Sequence, residues 1–459
     1  MAITNTSADS LPHQDVNLAP TAGLRLLACL AVITCNVMWS VSLEAMDKPA
    51  LHTAYAHHTW MGFILQPELP VYTFLVLTGF LAALSLLPAL ETTRSPANTV
   101  KGYFKNRILR IVPAYYIMLI LLHGVVLPLS DLLTPDEAWR ASYDAGATFD
   151  AEVCRSKKAL ANFLFQNNQL ANGGCYNITW TLAVQMQLYL LLPLALLLLR
   201  PQRRGFRKGV AVASATIVAC VVLYRAILLQ NAPLWRYMPL PFFRPYDMVS
   251  ARMMHSLAHR SFLSLGASLS PFCLGVLAAV AATSERCRQS LVRYRMWLSL
   301  AWTVLALCVL GACTVDRIGP TQDPDHPLAN PIIFFAAFTI FQGFFLPLLP
   351  ALTLLLTTMQ LPGPPAVLAR LLSHAACARL ADISYEMYLV HSLVICEVLA
   401  LFPPSTWFAV DNPVPFVLIA CHVITVTAAA AWVLNRGVSA VAAYIGCRLR
   451  FSMTPSAAT

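Results

Sequence analysis

The sequence predicts an all-α fold: a polytopic membrane helix bundle with about ten transmembrane helices and both termini cytoplasmic. The first observation is composition, since 58% of the residues are hydrophobic and only 11% charged, with a mean hydropathy of +0.64. That leaves too little polar surface to coat a soluble globule of 459 residues. The second is a set of apolar windows long enough to cross a bilayer. The third is that the loops rich in Lys and Arg fall on one side of those windows.

In chain order the spans are expected near 24 to 43, 69 to 90, 111 to 130, 180 to 199, 209 to 229, 263 to 283, 296 to 314, 332 to 358, 383 to 402 and 414 to 434. The fourth, with LYLLLPLALLLL, admits no other reading. The eighth is long and is expected to tilt or break at Pro347 and Pro350. Residues 1–20 are polar and include Asp9 and Asp15, unlike a signal peptide with a basic start, so the first helix is expected to stay. The chain divides into this cytoplasmic N-terminal segment, a transmembrane domain over 21–435 and a cytoplasmic tail over 436–459.

Short cytoplasmic loops accumulate Lys and Arg. Arg94, Lys101, Lys105, Arg107 and Arg110 follow the second span, Arg200 to Lys208 follow the fourth, and Arg286 to Arg295 follow the sixth. Arg370 and Arg379 before the ninth span, and Arg436, Arg448 and Arg450 after the tenth, fall on the same side. The net charge of +10 is thus explained by membrane topology and anionic lipid head groups as partners, with no nucleic acid required.

The opposite side carries one sizeable exoplasmic loop, 131–179, with Cys154 and Cys175, which an oxidising compartment would allow to pair as a disulfide. No CxxC pair or His/Cys cluster points to a metal. Asn5-Thr6-Ser7 and Asn177-Ile178-Thr179 fit the glycosylation pattern, but the first is predicted cytoplasmic and the second abuts a helix. Trp39, Trp60, Trp180 and Trp407 lie near helix ends, where indole rings serve as interface anchors.

Charge inside a span costs about 2.5 kcal/mol or more, which singles out a few residues. Arg25 opens the first helix, and Asn36 lies eleven positions on, roughly 16 Å deeper and about halfway across the bilayer. Arg107 and Arg110 stand three apart on one helical face before the third span. Each arginine has an ordinary role in snorkelling or in orientation; three guanidinium groups at one membrane edge would also hold the phosphates of a nucleotide-like acyl donor. Gln185 and Gln187 are embedded in the fourth span, and Glu386 and His391 in the ninth. The last two, five residues and roughly 140° apart, are expected to face different partners.

In their order, GLRLLACLAVI, FLVLTGFLAAL, FKNRILRIVPAYY, TWTLAVQMQLYLLLP and ISYEMYLVHSLVI resemble the acyltransferase-3 integral membrane family from about residue 20 to 435. The stretch FLFQNNQLANGGCYNITWTLAVQMQLYLLLP is similar to the branch typified by nose-resistant-to-fluoxetine proteins. The resemblance implies a ten-helix acyltransferase that moves an acyl group, commonly acetyl, from acyl-CoA to a hydroxyl on a saccharide, lipid or other extracytoplasmic acceptor. Arg25, Arg107 and Arg110 would then hold the donor, and Trp180, Gln185 and Tyr388 would stand near substrate or serve as structural polar groups.

Two positions depart from the family pattern. A histidine is expected eleven residues after the arginine, where this chain has Asn36, and a carboxylate is expected after WxLxx, where it has Gln185. A carboxamide has no useful basicity, and losing a general base costs ~10² to 10⁴ in rate. His391 is the first substitute base and Glu386 the second. The competing expectation is a catalytically lapsed bundle that transports or senses lipids or lipophilic compounds.

Overall fold

The computed structural model describes residues 16–45, 59–64, 68–128, 151–170, 173–230, 264–314, 340–361 and 363–452. Nearly all of them are helical, and among them ten helices are long and apolar enough to cross a membrane. We number these α1 (Ala19–Ala45), α2 (Glu68–Thr92), α3 (Pro96–Leu121), α4 (Trp180–Leu198), α5 (Phe206–Gln230), α6 (Leu265–Thr283), α7 (Arg295–Thr314), α8 (Leu346–Thr358), α9 (Ser384–Leu401) and α10 (Val414–Ser452). The end of the bundle that carries Arg94, Lys101 and Arg200 is called the basic end below; α1, α3 and α9 all start there.

Three features differ from the expectation, the first being that α10 continues as helix to Ser452, past the expected end at 434. Helix α3 starts at Pro96, well before the expected 111, because nothing from Ala97 to Val112 breaks a helix and Pro96 occupies the first turn, where a missing N–H costs nothing. Arg107 and Arg110 therefore ride on a continuous helix. The eighth span does not break at its prolines: π-helical turn Phe341–Phe345 leads into α8, which runs through Pro347 and Pro350. Pro347 has no N–H to return to the Gly343 carbonyl, and Ser270 Oγ of α6 donates to that carbonyl instead, at 2.6 Å.

Helices α2, α6 and α9 are the most enclosed, with 72% of each apolar window buried, whereas α7 is a rim helix at 11%. The α2–α6 seam is close because both helices present glycine. A Cβ at Gly79 would lie 2.1 Å from the Phe272 carbonyl oxygen, and one at Gly275 would lie 2.1 Å from that of Val76. Lipid tails are as apolar as leucine, so close van der Waals approach of backbones is what holds such a pair together. At the basic end Arg207 of α5 clamps both oxygens of Glu91 on α2, with Nη2 to Oε2 at 2.6 Å, and donates to the Thr283 carbonyl of α6 at 2.6 Å. One guanidinium ties three helix ends.

The α2–α6 contact predicts that Gly79→Ala lowers the thermal unfolding midpoint in detergent, equivalent to about 1 to 3 kcal/mol. Gly102→Ala, with nothing within 4 Å of its Cβ, should leave the midpoint unchanged or raise it.

Candidate functional site

Helices α1 and α9 lie side by side in the same direction and are held in register by three contacts. Arg25 Nη2 donates to the Ala381 carbonyl at 3.0 Å, Cys29 Sγ donates to the Ser384 carbonyl at 3.3 Å, and Asn36 Nδ2 meets His391 Nε2 at 2.8 Å. The sequence offsets are 356, 355 and 355 residues, so the pairing advances evenly up both helices. The polar residue that interrupts the first span thus touches the imidazole of the ninth.

His391 is fully buried, and its partners fix its tautomer. Nδ1 lies 2.8 Å from the Tyr388 carbonyl oxygen, which only accepts, so Nδ1 carries the proton. Nε2 of the neutral ring is then a lone-pair acceptor, and it is met by the amide N–H of Asn36. The carboxamide occupies the one basic position of the ring.

Above this pair, the loop before α4 reaches into the bundle. Tyr176 donates from its hydroxyl to the Leu389 carbonyl and accepts from Ser392 Oγ at 2.8 Å; burial pushes its phenol up, so it stays protonated. Tyr388 gives its single hydroxyl proton to the Ile178 carbonyl at 2.5 Å, which makes Thr181 Oγ1 the donor in their 2.7 Å contact. The loop is itself pinned by a buried network. Asn162 donates to Thr179 Oγ1 and accepts from the Cys175 amide at 2.9 Å, while Asn167 donates to the Gly173 carbonyl at 2.8 Å. Cys154 and Cys175 are joined as a disulfide. Thr179 is fully buried in this network, which closes the Asn177 glycosylation pattern in the folded chain; the Asn5 pattern lies outside the described residues. The sequence reading missed Asn162, Asn167 and Tyr176, although the paired Gly173 and Gly174, both with positive φ, signal a turn built for close packing.

The two glutamines of α4 part company. Gln187 donates to the Phe165 carbonyl at 3.0 Å and to Asn168 Oδ1 at 2.8 Å, which makes it part of the loop anchor. Gln185, which stands where the family pattern has a carboxylate, is half-buried and has no hydrogen-bond partner among the described residues. Trp180 is buried at the head of α4, inside the bundle and not at a lipid-facing interface, because the inserted loop covers it from Gly173.

Toward the basic end lies a second cluster. Glu386 is 7% exposed; its Oε1 accepts from Asn435 Nδ2 of α10 at 3.1 Å, while Oε2 is buried without a hydrogen bond. Arg25 Nε is likewise buried and unbonded. Arg25 feels Arg110, Asp382 and Glu386 electrostatically, yet no ion pair joins it to Glu386 among the described residues. Tyr385 ties α9 to α3 by donating to the Ile111 carbonyl at 2.9 Å. Arg107 turns toward α4, its guanidinium carbon 5.4 Å from the Tyr103 ring centroid and 5.1 Å from that of Tyr189. Of the three arginines, Arg25 and Arg110 share the Glu386 cluster and Arg107 stands beside it on an aromatic pair. Glu386 does not touch Asn36. The arrangement offers an uncharged base at the bundle centre, with a donor and an acceptor of opposite character left open below it.

Comparison with known proteins bears on this geometry. The acyltransferase-3 family profile, described as an acyltransferase domain, matches residues 22–436. The chain is also similar to "Regulator of hypoxia-inducible factor 1" of Caenorhabditis elegans, 26% identical over 204 residues. That match covers 43% of this chain and 37% of the worm protein, well under half of the relative's length. No solved structure gives a significant match.

The Asn36–His391 contact predicts a coupling that a double-mutant cycle will read. Asn36→Ala strands the buried Nε2 lone pair and is expected to cost about 1 to 3 kcal/mol. In the His391→Ala background the same change should cost less by about 0.5 kcal/mol or more. Additive unfolding free energies would mean that the two side chains do not meet.

Proposed function

Because this chain belongs to the acyltransferase-3 family of membrane acyltransferases, we propose that it is an acyl-CoA-dependent O-acyltransferase acting on an extracytoplasmic hydroxyl, of the branch resembling nose-resistant-to-fluoxetine proteins. The observation that carries this reading is the fixed tautomer of His391: a neutral imidazole with its lone pair directed at the position where the family pattern places a histidine. The base has moved from α1 to α9 while the point of chemistry has stayed. Glu386 is too far down the helix to share that role, five residues and about 7.5 Å below His391.

The acceptor hydroxyl displaces the Asn36 amide from Nε2 and gives its proton to that nitrogen as its oxygen attacks the thioester carbonyl. The carbon–sulfur bond then breaks, the leaving sulfur takes the proton back from Nε2, and the thiol leaves toward the basic end. Asn36 gains a role from this exchange. Its released N–H groups are placed to donate to the oxygen that becomes negative, a contribution of about 10² to 10³ in comparable sites. Arg25 and Arg110 favour a phosphate-bearing donor, with Arg107 stacked by its faces and still presenting N–H groups at its edge. The unbonded Glu386 Oε2 suits an amide N–H of the donor's arm. The positive-inside bias puts this end in the cytoplasm, where such donors are made.

One observation favours a second reading, a bundle that moves or senses lipophilic compounds without chemistry: both ionisable positions of the family pattern are amides here. In that case removal of Arg107 and Arg110 leaves the cellular phenotype unchanged.

The test is calorimetric titration of acetyl-CoA and longer-chain analogues into the detergent-purified protein, followed by transfer assays. His391→Gln should keep donor binding and lose ~10² to 10⁴ of the rate, whereas Arg110→Ala should weaken binding. A folded wild-type protein that binds no donor of any chain length overturns the enzyme reading.

A further inference from the structure

Between the first turns of α3 and the end of α4, a groove of about 630 Å³ is lined by Ala97, Val100, Lys101, Phe104, Lys105 and Ile108, and by Leu197 of α4. We propose that it holds one anionic phospholipid, with the phosphate between Lys101 and Lys105 and an acyl chain running from Phe104 along Ile108 and Leu197. The argument does not depend on the acyltransferase reading.

The α3 residues fall at spacings of three and four, which forms a single stripe along the helix. The stripe is mixed in a specific way, with an apolar floor and two exposed lysines one turn apart. From Ala97 to Ile108 it runs roughly 16 Å at 1.5 Å per residue. Including the π-helical turn that follows it, α3 spans Pro96–Val126, 31 residues and about 46 Å, longer than a ~30 Å hydrocarbon core. The surplus sets its first turns in the head-group layer. Lys101 and Lys105 therefore stand at phosphate level, with Ile108 and Leu197 toward the acyl chains.

Charge chooses the kind of lipid. Neither lysine makes an ion pair with a described residue, and the first turn of α3 carries no acidic side chain to compete. Lys101 and Arg110 are nine residues apart and so about 180° around the helix, whereas Arg107 borders the groove's face one to two turns further along. A lipid there would fill the gap between α3 and the end of α4, the two helices that Arg107 links through Tyr189.

Native mass spectrometry of the full chain, in detergent with phosphatidylglycerol or phosphatidylcholine of matched chains, tests this. The protein should retain phosphatidylglycerol in preference, and Lys101→Glu with Lys105→Glu should weaken that retention roughly twenty- to thirty-fold. Lys101→Arg with Lys105→Arg should preserve it, which separates loss of charge from loss of fold. Arg203→Glu with Arg204→Glu changes the same net charge elsewhere on the basic end and should leave retention near wild type. Equal retention of the two lipids overturns the proposal, as does equal weakening by the Arg203/Arg204 variant. Displacement of phosphatidylglycerol by long-chain acyl-CoA would also overturn it, assigning the groove to the donor's chain.

Discussion

A buried imidazole with one nitrogen bonded to a backbone carbonyl has only one neutral tautomer available, and that constraint organises the centre of this bundle. Once the Tyr388 carbonyl takes the Nδ1 proton of His391, Nε2 must be offered a donor or left as an unpaired acceptor at a cost of about 1 to 3 kcal/mol. Asn36 supplies the donor. A carboxylate there would pull a proton onto the ring and create a buried ion pair, and an aliphatic residue would strand the lone pair. The amide is a side chain that keeps the imidazole uncharged and satisfied while remaining displaceable.

This contact exists only because α1 and α9 keep register, and the register is set away from it. Arg25 and Cys29 anchor the basic end to backbone carbonyls at the start of α9, and the polar loop anchors the other end through Tyr176 and Tyr388. The loop's rigidity in turn comes from asparagines that are fully buried, each replacing water with a backbone partner. A loop that would ordinarily lie over the surface is instead folded into the bundle because its polar atoms are met inside. Tyr176 therefore lies over the stretch of α9 that holds His391, two residues along from the Leu389 carbonyl that it binds.

The helices were legible in the sequence because hydropathy is a local property, and bilayer thickness turns it into length. What stayed hidden was whatever depends on a second helix. The early start of α3 was masked by Lys101, Lys105 and Arg107, which break an apolar window but not a helix. The continuity of α8 through Pro347 rests on Ser270, seventy-seven residues earlier, which repairs the missing hydrogen bond. Asn36, His391, Glu386 and Arg25 could each be singled out as polar residues in costly places, and family resemblance gave them roles. That Asn36 meets His391 while Glu386 meets Asn435 follows from helix rotation and register, which no spacing within one segment encodes.

The two clusters are unequal in what they leave unsatisfied. At the bundle centre each imidazole nitrogen has its partner, whereas toward the basic end Arg25 Nε and Glu386 Oε2 are buried, unbonded and close enough to act on each other without pairing. The two side chains are held by backbone and amide bonds on their other atoms: Ala381 holds Arg25 and Asn435 holds Glu386. Leaving a buried donor and a buried acceptor without hydrogen bonds costs stability, which the satisfied imidazole at the centre does not.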